Sequence, residues 1–141
     1  MTGCAHQPGV LFLCTHNAGR SQMAMEFFSH FAGSRARVYS GGSEPADEIN
    51  PAAIAAMAEL GIDIAHNRPR PWTDAILQAA DVIVTMGCGD ACPYIPGKRY
   101  ENWELADPAG LELVGVRPIR DAIEGRVRDL IERLGLGPAA R

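Results

Sequence analysis

Cys14 is followed by Thr15-His16-Asn17-Ala18-Gly19 and then by Arg20-Ser21. A thiol and a guanidinium held apart by five loop residues suit one kind of chemistry. Consecutive backbone N–H groups in such a loop can converge on an oxyanion, and a helix beginning at its end favours the negative charge. Arg20 adds a planar, two-pronged clamp. The same positive field favours the thiolate of Cys14, which is the nucleophilic form. Ser21 can donate a hydrogen bond to that thiolate. Asn17 tolerates backbone angles that most residues avoid, so it can brace the loop. The plainer reading is a buried cysteine at a strand end, followed by an unrelated arginine. No other cysteine has the spacing: six residues after Cys4, Cys88 and Cys92 stand Val10, Tyr94 and Lys98.

A thiolate that attacks an oxyanion needs an acid to protonate the departing oxygen. "ELADPAG" offers Asp107, although Asp-Pro is also a common turn. His16 reads as a loop residue that shapes the pocket rather than as a base. His6, His30 and His66 have no motif around them and read as surface or packing residues.

The elements around these residues decide whether they meet. "GVLFLC" is continuously apolar and reads as a strand buried on both faces. Residues 19–33 read as a helix with Met23, Phe27, Phe28 and Phe31 on its inner side. Cys14 therefore ends a strand, while Arg20 and Ser21 begin a helix. "ARVYSGG" is a second strand. "NPAAIAAMAELGI" is a helix with Asn50 as cap, Pro51 in its first turn and Gly61 as its stop. "TDAILQAA" is a short helix capped by Thr73, "DVIVTMG" a third strand and "GKRYENW" a short fourth. "PIRDAIEGRVRDLIERLG" closes the chain as an amphipathic helix, with Ile119, Ile123, Val127, Leu130, Ile131 and Leu134 at helical spacing. Buried strands alternating with helices predict an α/β fold on a parallel sheet. Such sheets bind ligands beyond their carboxyl ends. Cys14, Ser40-Gly41-Gly42 and Met86-Gly87-Cys88 then share one edge, where the glycines also make turns.

The 141 residues suit one domain, with residues 1–8 read as a loose tail and 9–141 as the folded unit. A net charge of −4 does not suggest a nucleic-acid partner. No apolar run approaches the roughly 20 residues of a membrane span. "MTGCAHQPG" shows no basic segment leading into an apolar one, so a cytoplasmic setting is expected. Four cysteines there point to catalysis or metal binding before structural disulfides.

Taken together, "CTHNAGRSQMA", "YSGGSEP", "NPAAIAAMAELGIDI", "DVIVTMGCGDACP" and "NWELADPAG" resemble the low-molecular-weight protein tyrosine phosphatase superfamily. The chain is most similar there to the arsenate reductases built on that fold, from about Val10 to Leu134. The resemblance implies a four-stranded parallel sheet flanked by helices. It implies Cys14 as nucleophile, Arg20 as oxyanion clamp and Asp107 as general acid, with Thr15, His16, Asn17, Ala18, Gly19, Arg20 and Ser21 forming the substrate loop. Gln22 stands where the phosphatases usually carry proline. Ala109 and Gly110 stand where they often carry tyrosines that recognise a phosphotyrosine ring.

Reduction of arsenate to arsenite, in the service of arsenic detoxification, is the implied activity. In the thioredoxin-coupled relatives a second protein thiol resolves the arsenylated nucleophile and a third carries the disulfide outward. Cys88 and Cys92 would take those parts. Their close spacing leaves open a second route, in which mycothiol or glutathione resolves the adduct. The implied partners are arsenate, arsenite and a thioredoxin, mycothiol/mycoredoxin-like or glutathione reductant, with no bound cofactor and no metal. Met25 stands where several relatives carry a glutamate linked to a potassium site; Glu26, one residue on, points about 100° away on a helix.

Two other readings compete. One is a phosphatase acting on phosphotyrosine or small phosphoesters, because phosphate and arsenate share a shape. The other is a zinc- or arsenite-binding module using Cys88, Cys92 and Cys4 or His6. C-x3-C is not a usual zinc spacing, and there is no second cysteine pair to complete it.

Overall fold

The run Val10–Leu13 has no solvent exposure, and its alternate residues enter two different cores. Val10, Phe12 and Cys14 face the larger one, while Leu11 and Leu13 face the smaller. A strand buried on both faces must lie inside a covered sheet, and the rest of the architecture follows from that. The computed structural model describes residues 7–87 and 95–136.

The elements are β1 (Gly9–Cys14), α1 (Arg20–Ala32), β2 (Arg37–Gly42), α2 (Pro51–Ala58), α3 (Asp74–Ala79), β3 (Val82–Thr85), β4 (Arg99–Asn102) and α4 (Leu113–Arg133). A short 3-10 turn, Gly33–Arg35, joins α1 to β2. The four strands form one sheet in the order β2-β1-β3-β4, and every pair is parallel. Helices α1, α2 and α4 cover one face, packing Met23, Phe27, Phe28, Met57, Ile123 and Leu130 around Phe12. Helix α3 covers the other, bringing Leu77 onto Leu11, Leu13 and Ile83. This is the α/β sandwich expected from the sequence, with four parallel strands and helices on both sides. No helix among the described residues is long and apolar enough to cross a membrane.

Local signals set most boundaries. Asn50 Oδ1 accepts from Ala52 N at 2.9 Å, and Pro51 opens α2. Gly61, at φ 77°, turns the chain away after that helix. Thr73 Oγ1 accepts from Ile76 N at 3.1 Å to cap α3.

The closing helix differs from expectation. It begins at Leu113, five residues before Pro118, rather than at the proline. Val116 is fully buried and Leu113 packs on the core, which draws the chain into helix earlier. The carbonyl that loses its donor to Pro118 belongs to Val114, which is 70% exposed, so water can satisfy it. The same helix ends within α1 and β4 territory. Arg128 lies over the Phe31 ring at 4.0 Å from its centroid.

Arg133 donates to Glu101 through Nη1 at 2.6 Å and Nη2 at 3.0 Å, fastening the end of α4 to edge strand β4. Trp103 Nε1 donates to the same carboxylate at 3.0 Å. The Arg133 hydrogen bonds, outweighing burial, hold the Glu101 carboxyl down from 4.5 to about 2. A carboxylate held low in the folded state stabilises above its unfolded pKa, and that stabilisation is lost as pH falls toward the folded value. Glu101→Gln is expected to lower stability at neutral pH by about 1–3 kcal/mol, the range for a charge-assisted hydrogen bond. It should also flatten the loss of stability between pH 4.5 and about 2. Urea titrations at neutral and acid pH check both; an unchanged acid limb would relieve Glu101 of this role.

Candidate active site

The loop after β1 is built by facing its carbonyls outward. Thr15 O accepts from Glu44 N at 2.8 Å, His16 O from Ala46 N at 3.0 Å and Ala18 O from Asn50 N at 2.9 Å. In a trans peptide the following N–H points opposite to the carbonyl. The amides of His16, Asn17 and Gly19 therefore point to the inside of the loop. Helix α1 adds its own unpaired N–H groups, and its first turn holds no acidic side chain to occupy them.

Asn17 is the brace that the sequence suggested. It is fully buried and sits at φ 50°. Its Nδ2 donates to Ser21 Oγ at 2.7 Å, and its Oδ1 accepts from Arg70 N at 3.0 Å. Ser21 Oγ lies 2.9 Å from Cys14 Sγ. Cys14 is 3% exposed at the carboxyl end of β1, opposite Gly42 of β2.

Arg20 reaches back across the edge. Its side chain is 9% exposed, Nη1 donates to Leu105 O at 3.2 Å, and Nη2 lies 3.8 Å from Asp107 Oδ2. Asp107 is half-exposed, and its Oδ1 accepts from Ala109 N at 3.0 Å in the Asp-Pro turn. Cys14, His16, Ala18, Gly19, Arg20, Asn50, Asp107, Pro108 and Ala109 line a cavity of about 40 Å³. That is far below the roughly 150 Å³ that holds a benzene ring. The space is on the scale of a small oxyanion, and no Phe, Tyr or Trp lines it among the described residues.

The candidate residues Cys14, His16, Ala18, Gly19, Arg20 and Asp107 thus meet at one cavity, with Asn17 and Ser21 directly behind it. Thr15 stands at the rim, its Oγ1 donating to Gly87 O at 3.3 Å. His16 Nδ1 is 3.0 Å from Glu44 O, a bond that holds a loop residue in place. Cys88 and Cys92 lie outside the described residues, as do Cys4 and His6 of the metal-module reading. Met25 does not line the cavity, and Glu26 Oε2 accepts from Asn67 Nδ2 at 2.7 Å.

Three contributions were not apparent from sequence. Asn50, recognised only as a helix cap, also donates through Nδ2 to Pro108 O at 3.3 Å and so ties α2 to the Asp107 turn. Leu105 supplies a backbone carbonyl to Arg20. Gln22 is 1% exposed and joins Asn17 to the segment around Arg68. Asn50 at least carried a signal, its polar side chain before Pro51; Leu105 lies 85 residues from Arg20, and Gln22, though five from Asn17, reaches an acceptor 46 residues away.

A buried cysteine at a strand end, an inward-facing amide loop on a helix start and a buried arginine make an α/β-sheet site suited to holding a small oxyanion beside a thiol. The chain belongs to the low molecular weight phosphotyrosine protein phosphatase family, whose profile matches residues 9–137. It is 39% identical over 129 residues to arsenate reductase 1 of Staphylococcus epidermidis, covering 89% of this chain and 96% of that one. It is 42% identical over 126 residues to the arsenate reductase of Shouchella clausii, covering 86% and 88%. Among solved structures, the thioredoxin-dependent arsenate reductase of Corynebacterium glutamicum superposes with a TM-score of 0.82 at 44% identity. That match covers 94% of this chain, which spans 64% of the Corynebacterium chain's length.

Gly87, at φ 98°, packs its bare α-carbon against the Arg20 guanidinium, and a Cβ there would collide with Nη1. Gly87→Ala is expected to displace Arg20 and weaken inorganic phosphate or arsenate binding about tenfold, near the 1.4 kcal/mol that a misplaced charged donor readily costs. Calorimetric titration with phosphate measures it. Unchanged affinity would show that Arg20 does not need this approach.

Proposed function

We propose that this chain is an arsenate reductase that works through a cysteine thiolate and thiol–disulfide exchange. The observation that carries the reading is the contact of Cys14 Sγ with Ser21 Oγ beside an oxyanion-sized cavity clamped by Arg20. Relatives named arsenate reductases support it, at 39% and 42% identity over most of both chains. The small cavity and the Ala109-Gly110 pair after Asp107-Pro108 weigh against a phosphotyrosine ring.

In this reading Cys14 thiolate attacks the arsenic of bound arsenate. A sulfur–arsenic bond forms, and one oxygen leaves as water with a proton from Asp107. The loop amides and Arg20 hold the remaining oxygens, where charge accumulates. A second thiolate then attacks Cys14 Sγ. A sulfur–sulfur bond forms, the sulfur–arsenic bond breaks, and its electron pair stays on arsenic, which leaves as arsenite. Two thiols have been oxidised and arsenic has gained two electrons.

Cys88 is assigned as the second thiol and Cys92 as the third, which attacks Cys88 and frees Cys14. An external dithiol of the thioredoxin type reduces the resulting bond. The thioredoxin dependence of the Corynebacterium enzyme favours this coupling over resolution by a small thiol. The test mixes reduced enzyme with one equivalent of arsenate, without external thiol, and maps disulfides by mass spectrometry. A Cys14–Cys88 or Cys88–Cys92 bond is expected, and none in Cys14→Ser. If neither bond forms while Cys88→Ser and Cys92→Ser turn over normally with mycothiol, the protein is a thiol transferase and the relay is wrong. Arsenate turnover with thioredoxin, mycothiol and glutathione systems in parallel identifies the reductant.

Asp107→Asn should slow the arsenylation step by roughly 10²-fold or more, the scale of general acid catalysis. Its pH dependence should change as well. Single-turnover rates across pH check this, and an unchanged profile removes Asp107 as the acid.

A further inference from the structure

The polar contacts behind Asn17 continue past the loop. Gln22 Nε2 lies 3.1 Å from Asn17 O, 3.2 Å from Arg68 O and 3.0 Å from Asn17 Oδ1. Its Oε1 accepts from Asn67 Nδ2 at 3.1 Å, and the same nitrogen donates to Glu26 Oε2 at 2.7 Å.

The sense of every bond in this chain follows from groups that have no choice. Backbone carbonyls only accept, so the end of Gln22 that faces Asn17 O and Arg68 O is its NH₂. The Asn17 atom that faces this NH₂ and the Arg70 N–H is therefore its oxygen. The other end of the Asn17 amide, Nδ2, then donates to Ser21 Oγ. Ser21 has one hydrogen, and with its oxygen accepting from Asn17 that hydrogen is free for Cys14 Sγ. With the Asn17 amide reversed, Ser21 would donate to Asn17 and the sulfur would lose its donor.

We propose that Gln22 is a positioning residue for Cys14: together with the Arg70 N–H it holds the Asn17 amide in the sense that makes Ser21 an acceptor there, so that the sulfur receives the Ser21 hydroxyl. The proposal rests on Cys14 being the nucleophile. Gln22 does not line the oxyanion cavity and acts only through the residues between. Asn67, held by Glu26, satisfies the outer end of its amide. A proline at this position, as in the phosphatases, has no side-chain donor to offer.

The experiment is iodoacetamide alkylation read cysteine by cysteine in peptide maps, so that the Cys14 rate is separated from the others. Gln22→Met exchanges neutral for neutral at similar length, so no charge changes near the sulfur. It is expected to slow Cys14 alkylation about threefold to tenfold near neutral pH, because the sulfur loses its hydroxyl donor. The loss should vanish near pH 10, where base alone supplies the nucleophile and the donor no longer matters. In a Ser21→Ala background the same exchange should change the rate by less than about twofold, because the relay is already cut. An unchanged neutral rate overturns the proposal. So does an equal loss near pH 10, or the full effect in the Ser21→Ala background. Should Gln22→Met not fold, Gln22→Leu carries the test, since it too removes the side-chain donor: a slower neutral rate supports the relay and an unmoved one overturns it. If Cys14→Ser still reduces arsenate, the nucleophile assignment falls, whatever the alkylation rates show.

Discussion

Asn17 holds the site in shape. It is the one non-glycine residue with positive φ among the described residues, and it is fully buried. A left-handed conformation costs roughly 1–2 kcal/mol for an ordinary residue. Here that cost is offset by bonds from both ends of the side-chain amide, to Ser21, to Gln22 and to the Arg70 amide. The turn at Asn17 allows the carbonyls on either side of it to face the 44–50 segment while the amides face inward. Loop, helix start and the 68–71 segment are consequently one object. None of them can shift without breaking a bond to this residue.

The sheet explains why that object sits where it does. With β1 next to β2 on one side and β3 on the other, connections leave in opposite directions, and a crevice opens beyond the carboxyl ends. Close approach is built into that crevice. A Cβ on Gly42 would meet Thr15 O at 2.7 Å, and one on Gly19 would meet Pro108 Cγ at 2.8 Å. These two glycines let the loop press on β2 beneath it and on the Asp107-Pro108 turn beside it. Rigid packing of this kind keeps Cys14 and Arg20 in register.

Where the determinants are local, the sequence was readable. The unbroken apolar run of β1, the Asn50-Pro51 and Thr73 caps, and the loop between Cys14 and Arg20 each declare themselves within a few residues. The start of α4 did not, because burial of Val116, a tertiary effect, outweighed the local meaning of Pro118. Nor did the partners of the site. Gln22 finds Arg68 O and Asn67 across 46 and 45 residues, and Arg20 finds Leu105 O across 85. Two of these partners are main-chain carbonyls, which every residue type possesses, so no residue identity announces them. Gln22 was visible only as a departure from proline, and its role needed coordinates. The assignments to Cys88 and Cys92 rest on motif and chemistry alone.

Gly87 gives the molecule a mechanical property. The arginine that lines the cavity also leans on the backbone at the point where the chain leaves β3. Thr15, at the front of the substrate loop, holds the Gly87 carbonyl as well. Arg20 and the Thr15 hydroxyl thus bear on one point of the backbone, a residue whose lack of a side chain leaves room for both.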